Sequence, residues 1–288
     1  MKNIIKKFLS LPEAKKVVRR NFLLNCIILT IISALLAVGS SKYLFKYELP
    51  EENFVTLEIT TYIEVDCLSL MLESEIEPDE FFKCENGIFE IYKTRASGAV
   101  ISTVENKSWI LTADHFCDIR SNLGQMPEEV YSEIQVNRKI MRDGKVYSFE
   151  IVSQNGPDDL CLITSEDYKV SRPLKLARSM PEIGELTSTI SSPLGITEKG
   201  VSLHFSGTFS GCNFNACFFT IPAISGSSGS LVLNYDKEVV GMTQRSLIGF
   251  PEVTIGAGIE DITEFILDYE KESGKDIIPD RFLDLSFF

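Results

Sequence analysis

The sequence predicts an all-β domain that is preceded by one transmembrane helix and followed by a short C-terminal helix. Between residues 54 and 260, short runs rich in Thr, Ile, Val and aromatic residues alternate with turn residues, a pattern typical of antiparallel strands. Residues 22–39 form an apolar stretch without a charge, and residues 261–272 lie between residue types that start and end helices. A hydrophobic content of 44% is ample for a core.

Residues 22–39 are predicted to cross a membrane as a helix. This stretch of 18 uncharged residues is at the lower limit of what spans a bilayer. Residues 1–21 carry seven basic side chains against one acidic one, whereas only Lys42 and Lys46 follow the stretch closely. Because cytoplasmic flanks are rich in Lys and Arg, we expect a single-pass protein with a cytoplasmic N-terminus. The domain beyond the linker at residues 40–53 would then be extracytoplasmic, either periplasmic or extracellular.

A cleaved signal peptide is the alternative, because small residues at 34–39 offer a cleavage site. The uncleaved anchor is favoured, since the basic segment is long and the apolar stretch exceeds the usual ~7–15 residues of a signal peptide. A buried core helix is disfavoured by the lack of charge and by the basic flank.

The first group of strands is expected to form a small antiparallel barrel over about residues 54–170. Residues 68–85, which are acidic and contain a proline, are predicted to be an insertion with a short helix, and residues 119–130 a loop. Asp143 and Gly144 mark a hairpin turn. The predicted strands are 54–67, 87–94, 99–104, 108–112, 134–141, 145–153 and one that begins at Asp159.

A second barrel is expected over about residues 182–260, after a connection at 171–181. Asp261 is predicted to cap the helix at 261–272, with Phe265 and Ile266 toward the core and Gly274 ending it before a tail at 274–288. The six predicted strands are 185–191, 201–210, 216–221, 230–234, 239–245 and 254–259.

The charge of the chain argues against nucleic acid as a partner. The formal net charge is −13, and without residues 1–21 the remaining 21 basic and 40 acidic side chains give −19. Phosphate binding needs a cationic face, which this composition does not favour.

The cysteines permit disulfides, because an even number follows the apolar stretch and the domain is predicted to be exported. Cys212 with Cys217, across a tight hairpin, and Cys67 with Cys84 are the preferred pairs. Cys117 and Cys161 could equally be small buried hydrophobic residues. No Cys and His cluster has the spacing of a zinc site, so neither a metal nor another cofactor is expected.

Three separated residues combine the groups that a serine nucleophile needs. A hydroxyl requires a neutral imidazole within hydrogen-bond reach, and a carboxylate that fixes the tautomer of the imidazole. The chain has two histidines: His115 ends the apolar run 109–115, whereas His204 lies inside a predicted strand and is expected to be structural. Asp159 opens an apolar run, and Ser228 lies between glycines.

These segments, in the order His, Asp, Ser, resemble the signature segments of trypsin-like (chymotrypsin-fold) serine peptidases. They read Leu-Thr-Ala-Asp-His at 111–115, Asp-Leu-Cys-Leu-Ile at 159–163 and Gly-Ser-Ser-Gly-Ser-Leu-Val at 226–232. Residues 192–209 are similar to the strand pair before the serine loop in HtrA-type members. The resemblance covers about residues 54–270. It implies a chymotrypsin-like double six-stranded β-barrel within a peptidase domain at 54–273.

The resemblance also implies the roles of the site residues. His115 would be the general base and acid, Asp159 would orient it, and Ser228 would attack the scissile carbonyl to form an acyl-enzyme. The backbone N–H groups of Gly226 and Ser228 would form the oxyanion hole. Asp114 stands where the family has a small residue, and its carboxylate would raise the pKa of the base.

Asp158 is a rival of Asp159, and Ser225, Ser227 and Ser230 are rivals of Ser228. Asp159 is preferred because it directly precedes the apolar run, and Ser228 because it alone has Gly two residues before and one residue after it.

Substrate-binding walls are expected from residues 219–223, 243–245 and 256–258. The residues singled out there are Pro222, Ala223, Thr243, Gly256 and Gly258. Because the first wall has no carboxylate, cleavage after Lys or Arg is not supported, and a small or apolar residue is expected before the cut.

The leading functional hypothesis is a membrane-anchored serine endopeptidase with a protein or peptide substrate and with the bilayer as a partner of residues 22–39. One alternative is a catalytically silent chymotrypsin-fold binding module. Another is a processing or signalling peptidase dedicated to one partner protein.

Overall fold

The computed structural model describes residues 49–64, 84–85, 88–124, 133–196, 201–213 and 216–278. The predicted cytoplasmic segment and the predicted transmembrane helix at 22–39 therefore lie outside the described residues. Within the described ranges, no helix has the length and apolar character needed to cross a bilayer.

The first antiparallel sheet extends from residue 54 to residue 165. Its strands are β1 (Phe54–Glu64), β2 (Cys84–Glu85), β3 (Ile88–Val104), β4 (Lys107–Thr112), β5 (Gln135–Arg142), β6 (Lys145–Ser148), β7 (Glu150–Asn155) and β8 (Leu160–Ser165). Their order is β6-β5-β1-β3-β4-β8-β7, and β2 pairs with β3.

Four expectations for this region were wrong. The resemblance implied six strands here, whereas the described sheet has eight. The predicted strands 87–94 and 99–104 are one continuous strand, β3, because the small residues Ala96, Ser97 and Ala99 are buried against β1 and form no turn. The predicted strand 145–153 is divided between β6 and β7. Part of the predicted loop 119–130 is helical: α1 (Asp114–Cys117) is followed by α2 (Ile119–Leu123).

The second sheet closes into a barrel and contains all six strands that the sequence predicts there. Its strands are β9 (Lys175–Leu176), β10 (Leu186–Ser191), β11 (Leu203–Asn213), β12 (Ala216–Phe219), β13 (Leu231–Leu233), β14 (Glu238–Leu247) and β15 (Phe250–Gly258). Their order is β13-β10-β11-β12-β15-β14-β9, and a further pairing of β13 with β14 closes the ring of six. The unpredicted β9 runs parallel to β14.

The C-terminal helix, α3 (Ile259–Ser273), begins two residues before the predicted range of 261–272. Gly258 is its N-cap, and Asp261 instead reaches back so that its Oδ2 accepts a hydrogen bond from Gly258 N at 2.9 Å. Phe265 and Ile266 are buried as predicted, and Gly274 ends the helix in the left-handed conformation. The prediction of a mostly β structure with a C-terminal helix is confirmed.

Strand β4 has both faces buried and joins the cores of the two sheets. Trp109 and Leu111 pack in the cluster that contains Phe219 of the second sheet, whereas Ile110 packs in the cluster of the first sheet. This is the period-two alternation of a strand. A fully buried side chain of this size contributes about 1.5–3 kcal/mol. The end of β4 is therefore fixed at the boundary between the sheets, where the candidate site lies.

Candidate active site

His115 and Asp159 lie side by side because they flank the paired ends of two neighbouring strands. Thr112 at the end of β4 pairs with Cys161 in the antiparallel strand β8. His115 lies three residues beyond Thr112, in the single turn of α1, and Asp159 lies two residues before Cys161. Asp159 has a positive φ of 53° in the turn that leads into β8.

The carboxylate of Asp159 binds both the ring and the backbone of His115. Its Oδ2 lies 2.9 Å and its Oδ1 3.0 Å from His115 Nδ1, and Oδ1 accepts from His115 N at 2.8 Å. An ionised carboxylate only accepts, so the proton of the neutral imidazole lies on Nδ1 and leaves Nε2 as an acceptor. The hydrogen bond to Asp159 raises the pKa of His115, against the effect of partial burial, and the charge of Asp114 adds to the increase.

The two other nearby carboxylates and the second histidine have other partners. Asp114 is buried and accepts from Gln154 Nε2 at 2.9 Å, and burial raises the pKa of its carboxyl. Asp158 is exposed, and its Oδ2 accepts from Asn155 Nδ2 at 2.8 Å. The second histidine, His204, lies on β11, where its Nε2 is 3.0 Å from Oε1 of Glu51.

A disulfide joins the segments that carry His115 and Asp159. Cys117 and Cys161, each two residues beyond one of them, are bonded and buried. On sequence grounds both could equally have been unpaired hydrophobic residues, and that alternative is wrong. Their equal offset from His115 and Asp159 was the signal that could have suggested the pair.

The cysteines of the second sheet form the bond that the sequence predicted. Cys212 and Cys217 are linked across the hairpin of β11 and β12, where they are directly opposite each other. The proposed pairing of Cys67 with Cys84 involves Cys67, which lies outside the described residues.

The loop that carries Ser228 is anchored to both sheets. Ser97 N donates to Ser228 O at 2.8 Å, and Gly229 N donates to Thr243 O at 2.7 Å. Gly229 has a φ of +85°, and a Cβ on it would lie 2.2 Å from Ser97 O and 2.3 Å from Thr112 Oγ1. Only glycine fits this position, so the loop lies directly against the end of β4, three residues before His115.

Ser228 and His115 are not joined by a hydrogen bond in the described part of the chain. Ser228 Oγ instead donates to the backbone carbonyl of Gln244 at 2.9 Å. The side chain of Gln244 donates through Nε2 to the carbonyl oxygens of Asp158 and Asp159. One residue therefore links the serine to the turn that holds Asp159. Sequence reasoning missed this role of Gln244, since nothing in the local sequence indicates it.

The two backbone N–H groups assigned to the oxyanion hole have no acceptor among the described residues. Gly226 has a φ of +92°, and a Cβ there would lie 2.6 Å from Ser192 O and 2.8 Å from Leu194 N. The turn is closed by a hydrogen bond from Ser227 N to Ile224 O at 2.9 Å. Neither of these two N–H groups is used to hold the turn.

A cleft of about 970 Å³ opens beside His115 and Asp159. His115, Asp159 and Gln244 contribute to its lining, and Ser228 does not. The charged side chains of the lining are mainly acidic, and Arg245 is the one Lys or Arg among them; the acidic residues are Asp114, Asp118, Asp158, Asp159, Glu260 and Asp261.

Of the five residues expected to bind substrate, the structure places only Gly258 in the lining of this cleft. Thr243 and Gly256 are buried opposite each other in β14 and β15. Ala223 is buried, and its N–H donates to Pro251 O at 2.9 Å, whereas Pro222 is exposed.

Solved structures of other proteins are similar to this chain. A structure of the serine endoprotease from Yersinia pestis is similar in fold, with a TM-score of 0.50 and 15% identity over 75% of this chain. This chain spans 63% of that protein, which is less than two thirds of its length. The active form of the Rv3671c protease from M. tuberculosis has a TM-score of 0.48 and 12% identity, over 74% of this chain and 79% of that one.

The sequence profile of the trypsin-like peptidase domain matches residues 96–242, which is just over half of the chain. No curated protein is matched significantly. The matched segment extends from strand β3 to strand β14 and includes His115, Asp159 and Ser228. The chain belongs to the family of trypsin-like peptidase domains.

Proposed function

We propose that the chain is a serine endopeptidase that hydrolyses peptide bonds through an acyl-enzyme. Ser228 is the nucleophile, His115 the general base and acid, and Asp159 the residue that orients His115. The observation that carries the proposal is the carboxylate of Asp159, which binds both Nδ1 and the backbone N–H of His115. This arrangement holds Nε2 as the acceptor that a serine nucleophile needs.

The reaction begins with a rotation of the Ser228 side chain from the carbonyl of Gln244 toward His115 Nε2. As Ser228 Oγ attacks the carbonyl carbon of the scissile bond, its proton passes to Nε2, and Asp159 stabilises the imidazolium that forms. The carbonyl oxygen becomes an oxyanion and accepts hydrogen bonds from the N–H groups of Gly226 and Ser228. The imidazolium then protonates the leaving amine, and the C–N bond breaks.

Water completes the cycle: it takes the place of Ser228 as the nucleophile, and Ser228 Oγ becomes the leaving group. His115 takes a proton from water as the water oxygen attacks the acyl carbon, and then returns a proton to Ser228 Oγ as the ester bond breaks. The products are a free carboxylate and the regenerated hydroxyl.

Labelling of the full chain with a biotinylated fluorophosphonate tests this proposal. We expect a covalent adduct on Ser228, located by peptide mass spectrometry, and no adduct in Ser228→Ala or His115→Ala. Ser225→Ala is the matched control, because Ser225 is an exposed serine of the same loop and its removal is expected to leave labelling intact. A wild-type chain that is not labelled would overturn the proposal and favour the silent binding module.

We also propose that residues 22–39 anchor the chain in a membrane, with the peptidase domain outside the cytoplasm. The support is the uncharged stretch and the basic segment before it. The chain should stay in the membrane fraction after extraction with alkaline carbonate, at its full length by mass spectrometry. Release of a shortened chain would instead indicate a cleaved signal peptide.

A peptidase dedicated to one partner would be separated from a general one by comparing casein hydrolysis with a proteome-wide cleavage screen. Broad casein turnover would contradict the dedicated role.

A further inference from the structure

Ser97 of strand β3 uses its polar groups to hold the loop that carries Ser228. It is 1% exposed. Its hydroxyl donates to Gly226 O at 2.8 Å and accepts from Ser192 N at 2.9 Å, and its N–H donates to Ser228 O at 2.8 Å. Its own carbonyl accepts from Thr112 Oγ1 at 2.8 Å. A single residue of the first sheet thus bonds to three backbone groups of the second-sheet segments around the proposed nucleophile.

The hydroxyl of Ser97 is also connected to the Ser225–Gly226 peptide bond, through the segment that begins at Ser192. Two residues after Ser192, Leu194 N donates to Ser225 O at 2.8 Å. The peptide bond between Ser225 and Gly226 is trans, so its N–H points away from the carbonyl that Leu194 holds. The Gly226 N–H, directed in this way, has no acceptor among the described residues and faces away from Leu194.

We infer that Ser97 is a positioning residue that forms the oxyanion-binding loop before substrate arrives; this rests on the proposed peptidase function. Preorganised N–H donors stabilise the developing oxyanion without reorganisation during the reaction. A hydroxyl is suited to this position because it donates and accepts at once. It therefore holds the Gly226 carbonyl and the Ser192 N–H at a fixed position relative to each other. An alanine, which has no hydroxyl, cannot do this.

The alternative is that Ser97 only holds the two sheets together. A purely structural role would disturb His115 and Asp159 as much as the serine loop, because β4 lies next to β3. A positioning role would slow the attack by Ser228 and leave the hydrogen bond between His115 and Asp159 unchanged. The two roles are separated by measuring both properties on the same variant.

The test compares Ser97→Ala with Ser108→Ala in the full chain. Ser108 is a matched control, because it is a fully buried serine of the adjacent strand β4 whose hydroxyl has no partner among the described residues. The measurements are the rate of Ser228 labelling by a fluorophosphonate, kcat and KM on casein, and the downfield proton resonance of His115 Nδ1–H.

Removing one oxyanion donor outright costs on the order of 10²–10³ in turnover, so misdirecting a donor in Ser97→Ala should slow labelling roughly 10- to 100-fold. The loss should appear in kcat, with KM and the Nδ1–H resonance unchanged and with Ser108→Ala close to wild type. Slowing of less than about fivefold overturns the inference, as does loss of the Nδ1–H resonance together with the rate. If Ser97→Ala does not fold, Ser97→Cys, which fills the same space with a weak donor, is judged by the same criteria.

The wild-type chain distinguishes the two ways in which the inference can fail. Absence of any label on wild-type Ser228 removes the proposed peptidase function itself. A labelled wild type with an equally fast Ser97→Ala leaves the peptidase in place and removes only the role of Ser97.

Discussion

The two halves of the proposed site are held together by different kinds of bond. His115 and Asp159, the base half, flank the paired ends of two strands of one sheet, and each lies two residues from a disulfide that links their segments. Ser228, the nucleophile half, lies in a loop of the other sheet. A hydrogen bond from Ser97 N holds this loop, and a hydrogen bond to the carbonyl of Gln244 holds the Ser228 hydroxyl. The base half is therefore fixed by covalent and local contacts, whereas the nucleophile half depends on contacts between the sheets.

Because of this difference, we expect the two halves to control different steps of the proposed reaction. The base half already has the geometry for proton transfer, since His115 Nδ1 is bonded to Asp159. In the proposed mechanism the nucleophile half must still change, because Ser228 Oγ donates to the backbone carbonyl of Gln244 and would have to leave it to bond with His115. We therefore expect changes in the first half to affect proton transfer, and changes in the second half to affect attack and oxyanion binding.

The largest expected effect comes from Asp159→Asn, which breaks the base half without changing its shape. The amide oxygen of Asn can still accept from His115 N, but its NH2 faces Nδ1 and favours the wrong tautomer of the ring. In the proposed peptidase, kcat should fall roughly 10⁴-fold, measured on a cleaved peptide. The pKa of His115, followed by NMR, should fall as well, because the hydrogen bond that raises it is lost.

Asp158→Asn is the control for that change. Asp158 is the adjacent carboxylate, and its side chain bonds Asn155 and not His115. Its kcat should stay near that of the wild type. A large loss in Asp158→Asn with activity kept in Asp159→Asn would reverse the assignment of the carboxylate.

The disulfides give the next largest effect and test whether the base half owes its rigidity to a covalent bond. The bond between Cys117 and Cys161 closes 44 residues of sequence. Replacing both with alanine should lower the free energy of unfolding by about 4 kcal/mol, because a loop of this length is released in the unfolded chain. Urea unfolding followed by the fluorescence of Trp109, the single tryptophan, measures this loss.

Cys212 and Cys217 provide the matched comparison, because their bond spans only 5 residues of sequence and lies in the other sheet. Their replacement should cost about 2 kcal/mol on the same entropic argument. Equal losses in the two double variants would show that loop length does not determine the contribution of these bonds.

The sequence contained the local features of this molecule and not the contacts between distant segments. The strands of the second barrel were predicted because each is bounded by turn residues, and the segments of His115, Asp159 and Ser228 were found because each is a short contiguous motif. Strand β3 was divided wrongly, since Ala96, Ser97 and Ala99 form a small-residue run whose burial against β1 cannot be read locally. Tertiary packing outweighed the propensity of that run.

The positions missed in the site have the same cause. Ser97 contacts Gly226, 129 residues away, and Gln244 contacts Asp159, 85 residues away. No periodicity or spacing connects such residues. They became visible only when the two sheets were brought together.

The smallest expected effect is the dependence of stability on pH, which tests the base half without changing its bonds. The hydrogen bond between His115 and Asp159 raises the pKa of His115 in the folded state above the unfolded value of about 6.5. The pair therefore stabilises the fold fully when the pH is below the unfolded pKa. The stabilisation is lost as pH rises through the folded pKa. It should be less than about 1 kcal/mol, because the His115 side chain is 52% exposed and solvent screens the pair. The free energy of unfolding of wild type minus that of His115→Gln should therefore decrease between pH 5.5 and pH 9, since other titrating groups cancel in the difference. A difference that grows over this range would contradict a raised pKa.

Activity of the proposed enzyme should rise over the same pH range, because only the neutral imidazole accepts the proton of Ser228. The protonation state that stabilises the pair of His115 and Asp159 most is therefore the one in which the proposed enzyme is inactive.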